Sequence, residues 1–228
     1  MLFNSKSEHM KKLSYLMVLT IGLLLVWGFT VHIPDRNYEE KPFTLVLDAG
    51  HGGKKNGFNI DGIKEKDLTL SIANKIKKVA NSKGINVLLT RDGDEDVVIN
   101  HRLKLKGDFF LSLHVNQAPS SDRNGIEMML SHTENTTKSL KSVRMSNELY
   151  NSLKILEGIR IDSKPKHLNF VVLKNNVMPG MLLQLGFISN KNDKQFVTND
   201  ENQTKLAIAI IDAVDSYKKN IKSNHEKY

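Results

Sequence analysis

Residues 43–53 read FTLVLDAGHGG, a run of apolar and β-branched residues that leads into an aspartate, a histidine and three glycines. Such a short apolar run is typical of a strand that is buried on both faces of a parallel sheet. The glycines that follow it indicate a loop. Apolar residues then recur at helical spacing over residues 66–82, and Gly84 marks the end of that helix. This part of the chain therefore predicts a strand, a loop and a helix in succession.

The rest of the chain continues to alternate between strand and helix patterns. Strands are predicted over residues 86–90, 109–114, 126–130, 170–173 and 181–185, and helices over residues 97–105, 140–156 and around 207–214. Alternation of this kind favours parallel strands, because a helix carries the chain back across the sheet between them. We therefore expect an α/β fold: a single domain with a largely parallel central sheet flanked by helices.

The composition is that of a folded protein, since 39% of the residues are hydrophobic and 25% are charged. The formal net charge of +8 favours an anionic partner such as nucleic acid, a membrane surface or an acidic cell-wall polymer. The chain contains no cysteine, which excludes disulfides, thiolate catalysis and sulfur-ligated metal sites. Any metal must be held by histidines and carboxylates.

The N-terminal part of the chain predicts a membrane anchor. Residues 13–31 contain no charged residue and are about as long as a bilayer-spanning helix requires, and three lysines precede them. Because positive residues stay on the cytoplasmic side, the rest of the chain should lie outside. The predicted organisation is a cytoplasmic N-terminus (1–12), a transmembrane helix (13–33), a linker (34–42), an external domain (43–219) and a basic tail (220–228).

Cleavage of this segment as a signal peptide is the alternative, and it would release the domain. A cleaved segment usually has a shorter apolar core followed by small residues resembling Ala-x-Ala, whereas this one runs long and exits through residues 30–34, TVHIP. The pattern favours an uncleaved anchor. An external domain in turn argues against nucleic acid as a partner.

Polar residues follow two of the predicted strands, where open α/β sheets collect their ligands. His51 follows the first strand, His114 ends another, and Glu65 stands at the start of the first helix. Two histidines and one carboxylate are a common ligand set for catalytic zinc. Taken singly each has a plainer interpretation, because strand-end histidines are often structural and Glu65 suits a helix N-terminus. Nucleotide binding fits poorly, since Phe58 stands where a P-loop needs lysine and Lys55 breaks the dinucleotide pattern.

In order and surroundings these residues resemble the zinc N-acetylmuramoyl-L-alanine amidases that cut peptidoglycan. The resemblance covers residues 44–217 and rests on LDAGHGG (47–53), KEKDL (64–68), LTRD (89–92), Arg102, SLHVN (112–116), GIE (125–127), VLK (172–174), MP (178–179) and LGFISN (185–190). It implies that His51, Glu65 and His114 bind one Zn²⁺ per chain. It also implies peptidoglycan as the partner, cleaved between the muramic acid lactyl group and L-alanine, and a bacterial cell membrane with the domain in the periplasm or cell-wall space.

The chain departs from the family at Gln184, where the family has a glutamate directly before the Leu-Gly-Phe segment. That glutamate accepts and returns the proton of the attacking water, which glutamine cannot do; loss of a general base typically lowers the rate ~10²–10⁴-fold. Three outcomes stay open: an amidase in which Glu127 or another carboxylate supplies the base, a weak amidase, and an inactive peptidoglycan-binding or regulatory module.

Other polar residues carry smaller expectations. Asn116 follows His114 by two residues and either lines a substrate pocket or caps a turn. Arg91 and Arg102 match family positions, yet we expect them to be structural ion-pair partners rather than catalytic. The remaining histidines of the domain, His101, His132 and His167, match no ligand position.

Overall fold

The computed structural model describes residues 42–132 and 136–225, together with the isolated helical residues 14, 15 and 17; side chains are described as far as residue 221. Residues 42–228 and residues 1–41 form two separate units. The predicted cytoplasmic N-terminus, transmembrane helix and linker therefore lie almost wholly outside the described residues. Within the described part of the chain, no helix combines the length and apolar character needed to cross a bilayer.

The domain is built on one central sheet. The strands are, in chain order, β1 (Thr44–Ala49), β2 (Asn59–Ile60), β3 (Ile63–Lys64), β4 (Asn86–Leu89), β5 (Phe109–Asn116), β6 (Glu127–Leu130), β7 (Lys166–His167) and β8 (Gly180–Phe187). Six of them form the sheet in the order β4-β1-β5-β8-β6-β7, and β2 and β3 form a separate hairpin. Every pairing in the sheet is parallel except that of β6 with β8. The expected single α/β domain with a largely parallel sheet is confirmed.

Helices connect and cover the strands. They are α1 (Glu65–Asn81), α2 (Ile99–Arg102), α3 (Thr137–Leu153), α4 (Val171–Lys174), α5 (Lys191–Thr198) and α6 (Asp200–His225). The sequence predicted α1 to within one residue at each end, because acidic residues in its first turn and Gly84 after its last turn are clear boundary signals. Helix α3 begins three residues before its predicted start, because Thr136 and Ser139 form a capping box there.

Two predicted elements are wrong in type or length. Residues 170–173 were expected to form a strand, but Val171–Lys174 is one helical turn, closed by a 2.8 Å bond from the Lys174 N–H to the Phe170 carbonyl. A four-residue apolar run suits either structure, and tertiary packing of Leu173 decides it here. The helix expected over residues 97–105 is only Ile99–Arg102.

The two faces of the sheet are covered unequally. Helices α1, α3 and α6 bury one face in a large core, to which alternate strand residues such as Leu47, Leu113 and Leu183 contribute. On the other face Val46, Phe110 and other residues form a much smaller core around α4. Because side chains alternate along a strand, Asp48, Ser112, His114 and Gln184 also point to this second face. The functional residues therefore lie where the covering layer is thin.

Candidate active site

His51, Glu65 and His114 converge at the carboxyl ends of β1 and β5. The Nδ1 atom of His114 lies 2.8 Å from Oε1 of Glu65, and the Nε2 atom of His51 lies 3.0 Å from Oε2. One ligand atom from each residue lies within 4.8 Å of the other two. Imidazole nitrogens and a carboxylate oxygen at such spacing are the donor set that zinc takes in proteins, so the three side chains fit a zinc ion.

The Glu65 carboxylate is held in its ionised form. Burial alone would raise its pKa, but hydrogen bonds and charge from His114 and His51 outweigh the burial and lower the pKa to about 2. The Val115 N–H also donates to Oε1, over 3.1 Å. The side chain is therefore a carboxylate, the form that binds metals.

Two glycines make room for the cluster. A Cβ atom on Gly50 would lie 2.5 Å from Cε1 of His114, and one on Gly57 would lie 2.2 Å from Oε2 of Glu65. Gly57 also has φ +68°, a left-handed conformation that other residues adopt at a cost. The glycine-rich loop therefore serves close packing of histidine and carboxylate rather than the binding of a phosphate.

A buried aspartate fixes the end of β1. Asp48 accepts hydrogen bonds from Ser112 (2.6 Å), Thr90 (2.7 Å) and Nη1 of Arg102 (2.5 Å). Burial opposes ionisation, but the Arg102 charge and these bonds together lower the Asp48 pKa below its usual value. The carboxylate thus ties β1, β4, β5 and α2 together just beneath the histidine cluster.

Two arginines hold the loop that carries His51. Arg102 donates to the carbonyls of Ala49 and His51, and Arg91 donates to those of Ala49 and Gly50. These bonds hold His51 at φ +61°, an uncommon conformation for a residue other than glycine. Arg102 forms the expected ion pair, with Asp48, and also reaches the wall of the cleft. Arg91 instead donates to backbone carbonyls and to Thr69, and it forms no ion pair among the described residues.

The histidine cluster opens into a cleft of about 800 Å³. Its polar lining includes the cluster, Asn116, Gln184 and Lys55. A group of apolar lining residues comes from the neighbouring helices α2 and α4 and the residues just before them, and we call this group the apolar wall: Val97, Ile99, Phe170, Val171 and Val172. Sequence reasoning missed this apolar wall, because residues 170–173 were interpreted as a buried strand. No local signal identified it, because a four-residue apolar run suits a strand and a helical turn equally.

Comparison with known proteins gives one consistent result. A sequence profile described as N-acetylmuramoyl-L-alanine amidase matches residues 45–216. The chain belongs to the N-acetylmuramoyl-L-alanine amidase family. The "probable cell wall amidase LytH" of Staphylococcus epidermidis is 29% identical over 203 residues, which cover 86% of this chain and 67% of that protein.

Solved structures agree with the profile. The catalytic domain of CwlV, an N-acetylmuramoyl-L-alanine amidase from Bacillus (Paenibacillus) polymyxa var. colistinus, has a TM-score of 0.69 and 28% identity, covering 77% of this chain and 97% of its own. The CwlD amidase from Clostridioides difficile, solved in complex with the GerS lipoprotein, has a TM-score of 0.66 and 25% identity. The match covers 77% of this chain and 98% of the CwlD chain. The resemblance to this hydrolase family is confirmed.

Gln184 occupies the position that separates this amidase-family chain from the expected pattern. It lies on β8, paired with His114 of β5 on one side and Glu127 of β6 on the other. The residue is 7% exposed and lines the cleft, and its side-chain amide has no hydrogen-bond partner among the described residues. The amide faces the cleft and has no protein partner, so it is available to a ligand there.

Asn116 lies at the cleft, and its side chain accepts from the adjacent backbone N–H rather than from the N–H two residues on that an Asx turn uses. The bond from the Gln117 N–H to its Oδ1 is 2.8 Å long. The other histidines of the amidase domain stay apart from the cluster. His101 is exposed on α2, and the rings of His132 and His167 lie 6.1 Å apart at the far edge of the sheet.

The Asp48–Arg102 pair should be the most sensitive ion pair in the domain. Arg102→Met should lower the free energy of unfolding by about 3–5 kcal/mol, because it leaves the buried Asp48 carboxylate without a cation. Adding Asp48→Asn to that variant should restore part of the loss, since no unpaired charge remains. Chemical unfolding followed by circular dichroism measures both effects.

The matched control is Lys83→Met, which breaks the exposed pair of Lys83 with Asp212. It should change the free energy of unfolding by less than about 1 kcal/mol. An equal loss in the Arg102 single variant and in the double variant would contradict the assignment of the effect to an uncompensated buried charge.

Proposed function

We propose that this chain is a zinc-dependent N-acetylmuramoyl-L-alanine amidase-like protein. Its substrate is the amide between the muramic acid lactyl group and L-alanine in peptidoglycan, and its hydrolytic rate is limited by Gln184. The observation that carries the proposal is the convergence of His51, Glu65 and His114 in a cleft of an amidase-family domain. The size of the cleft and its mixture of apolar and polar walls suit a segment that contains a sugar ring and a peptide.

The three converging side chains would hold one zinc ion. When bound, zinc supplies Lewis-acid activation of water and of the scissile carbonyl. The Val115 N–H holds the Glu65 carboxylate in place. Asp48 and the two arginines hold the strand ends that carry the histidines. Such supporting contacts set the orientation of metal ligands and thereby their affinity.

Gln184 limits the proton transfer that hydrolysis needs. Its carboxamide has nearly the volume of a glutamate side chain, but it is not a base at neutral pH. It can donate a hydrogen bond to a substrate carbonyl in the cleft, which favours binding over turnover. This supports the second candidate function, a peptidoglycan-binding or regulatory module on the same fold.

Glu127 is poorly suited to replace the missing base. It lies directly across from Gln184 on the same face of the sheet, but its carboxylate is 2% exposed and bonds Lys166 Nζ at 2.6 Å and Arg123 Nη2 at 3.4 Å. Both cations engage the carboxylate, and Glu127 is not among the described residues that line the cleft. The observation favours weak activity over full activity with a substitute base.

The first prediction from this proposal concerns the metal. Purified full-length protein should contain about one zinc per chain, and His51→Ala or His114→Ala should abolish stoichiometric binding, because each removes one of three protein ligands. Metal analysis by mass spectrometry measures the content. His101→Ala is the control, since His101 lies outside the cluster and its loss should leave the zinc content unchanged. Equal zinc in all four proteins would refute the site.

The second prediction concerns Gln184. The variant Gln184→Glu should hydrolyse peptidoglycan on the order of 10²-fold faster than the wild type, because it restores a proton acceptor without changing side-chain volume. Muropeptide products identified by mass measure the rate. Zinc content should stay the same.

A matched control separates a base from a mere negative charge. Gln117→Glu also adds a carboxylate at the cleft, but beyond the end of β5 rather than beside His114. This variant should hydrolyse peptidoglycan no faster than the wild type. A wild type as fast as Gln184→Glu would mean that another group supplies the base. If neither protein cleaves, the binding-module function is the correct one.

We further propose that residues 13–33 anchor the protein in the bacterial cell membrane, with residues 1–12 in the cytoplasm and the domain outside. The uncharged segment and the lysines before it support this orientation. Protease added to intact spheroplasts should therefore degrade the domain while a cytoplasmic marker protein survives. Complete protection of the domain, or a secreted form that lacks residues 1–33, would refute the anchored orientation.

A further inference from the structure

A pair of exposed cations is gathered around Glu127, the register partner of the cleft residue Gln184. Arg123 and Lys166 both bond the buried Glu127 carboxylate, yet their own side chains are 52% and 40% exposed. The Arg123 guanidinium also lies over the Phe187 ring, 5.0 Å from its centroid. The carboxylate therefore points inward and acts as an anchor, while the cationic groups remain accessible to an external anion.

The single charge of Glu127 does not neutralise the positive charges of Arg123 and Lys166. The only other carboxylate in contact with Lys166 among the described residues is Asp162, at 3.5 Å, and Asp162 also pairs with Arg160. Three cations thus share two carboxylates, which leaves an excess of one positive charge. We name Arg123 and Lys166, held by Glu127, the cation pair.

The cation pair lies at one end of a row of side chains that begins at the histidine cluster. His114 of β5, Gln184 of β8 and Glu127 of β6 are register partners on adjacent strands and share one face of the sheet. Adjacent strands lie about 4.8 Å apart, so Glu127 is roughly 10 Å from His114 along the row. The buried amide of Gln184, which has no partner among the described side chains, lies between them.

We propose that the cation pair is a subsite for a free carboxylate on the second residue of the stem peptide. The inference rests on the proposed amidase function, because it takes the scissile amide to lie at the histidine cluster. An extended chain advances about 3.3–3.6 Å per residue, so a carboxylate on the second residue lies roughly 7–9 Å beyond that amide. This distance is comparable with the roughly 10 Å between His114 and Glu127, the residue that holds the cation pair.

The chemistry of the two sides of the substrate sets its direction in the cleft. The sugar side of the scissile bond is an uncharged ring with methyl and acetamido groups, which suits the apolar wall that contains Ile99, Phe170 and Val171. The peptide side carries the carboxylates and suits the row that runs from Gln184 to the cation pair. Arginine and lysine donors bind a carboxylate through charge-assisted hydrogen bonds.

Binding of two synthetic ligands tests the subsite. Both are N-acetylmuramoyl-L-alanyl-D-glutamates whose side-chain carboxyl is capped as a methylamide; one has a free α-carboxylate and the other an α-carboxamide. Calorimetry with zinc-loaded, full-length protein in detergent measures both affinities, and product analysis of the same samples reports cleavage. The wild type should bind the carboxylate about tenfold more tightly, the ratio expected from one charge-assisted contact.

Variants of the cation pair test whether Arg123 and Lys166 cause the preference for the carboxylate ligand. Arg123→Gln and Lys166→Gln should each lower the preference for the carboxylate, while affinity for the carboxamide ligand stays within about twofold of wild type, because each single variant leaves Glu127 one cation. Arg123→Lys should retain part of the preference. Lys83→Gln, which removes an exposed lysine paired with Asp212, is the control and should retain all of it.

The outcomes separate this inference from the proposed function. Equal binding of the two ligands by wild type, with cleavage by Gln184→Glu, would overturn the subsite and leave the amidase function standing. Binding of neither ligand, without cleavage by Gln184→Glu, would overturn both. If the cation-pair variants instead lose binding of poly(glycerol phosphate) and the two peptides bind alike, the pair serves an anionic wall polymer and the peptide subsite is refuted.

Discussion

The carboxylate of Glu65, 8% exposed, is shared between His51 and His114 and has a pKa of about 2. Its position joins the start of a helix to the ends of two strands, and the surrounding structure is adapted to it. Gly57 leaves the space that its carboxylate fills, and the Val115 N–H holds one of its oxygens. Because a buried charge is tolerated only when it is paired, these contacts are as much a condition of folding as of metal binding.

The parts of this arrangement that could be predicted from sequence are those set by local pattern and by a general rule of sheet topology. Helix α1 has acidic residues at its start and a glycine after its end, so both of its boundaries can be predicted from the sequence. The ends of parallel strands meet at one edge of a sheet, which brings His51 and His114 together once β1 and β5 are recognised. Their pairing as direct neighbours is a property of the folded chain that no local pattern contains.

The features of the site that the sequence did not predict depend on long-range packing. Residues 170–173 have the composition of a strand, but burial of Leu173 in the smaller core and exposure of Phe170 and Val171 to the cleft favour a helical turn. The contacts of Glu127 could not be predicted from the sequence either. Its partner Lys166 is 39 residues away, and the antiparallel insertion of β6 beside β8 decides that Glu127 faces Gln184. Strand order of this kind is a result of tertiary structure, not of periodicity.

The same strand order places residue 184 between the histidine cluster and Glu127. Its neighbours are His114, which contacts the Glu65 carboxylate, and Glu127, a buried carboxylate paired with Arg123 and Lys166. A glutamate at this position would have an imidazole on one side and a carboxylate already compensated by two cations on the other, so the row offers its charge no unpaired negative neighbour. Glutamine keeps the volume of glutamate but is not a proton acceptor. Under the proposed amidase function, the exchange leaves a group that can bind a neutral carbonyl and removes the one that would transfer the proton.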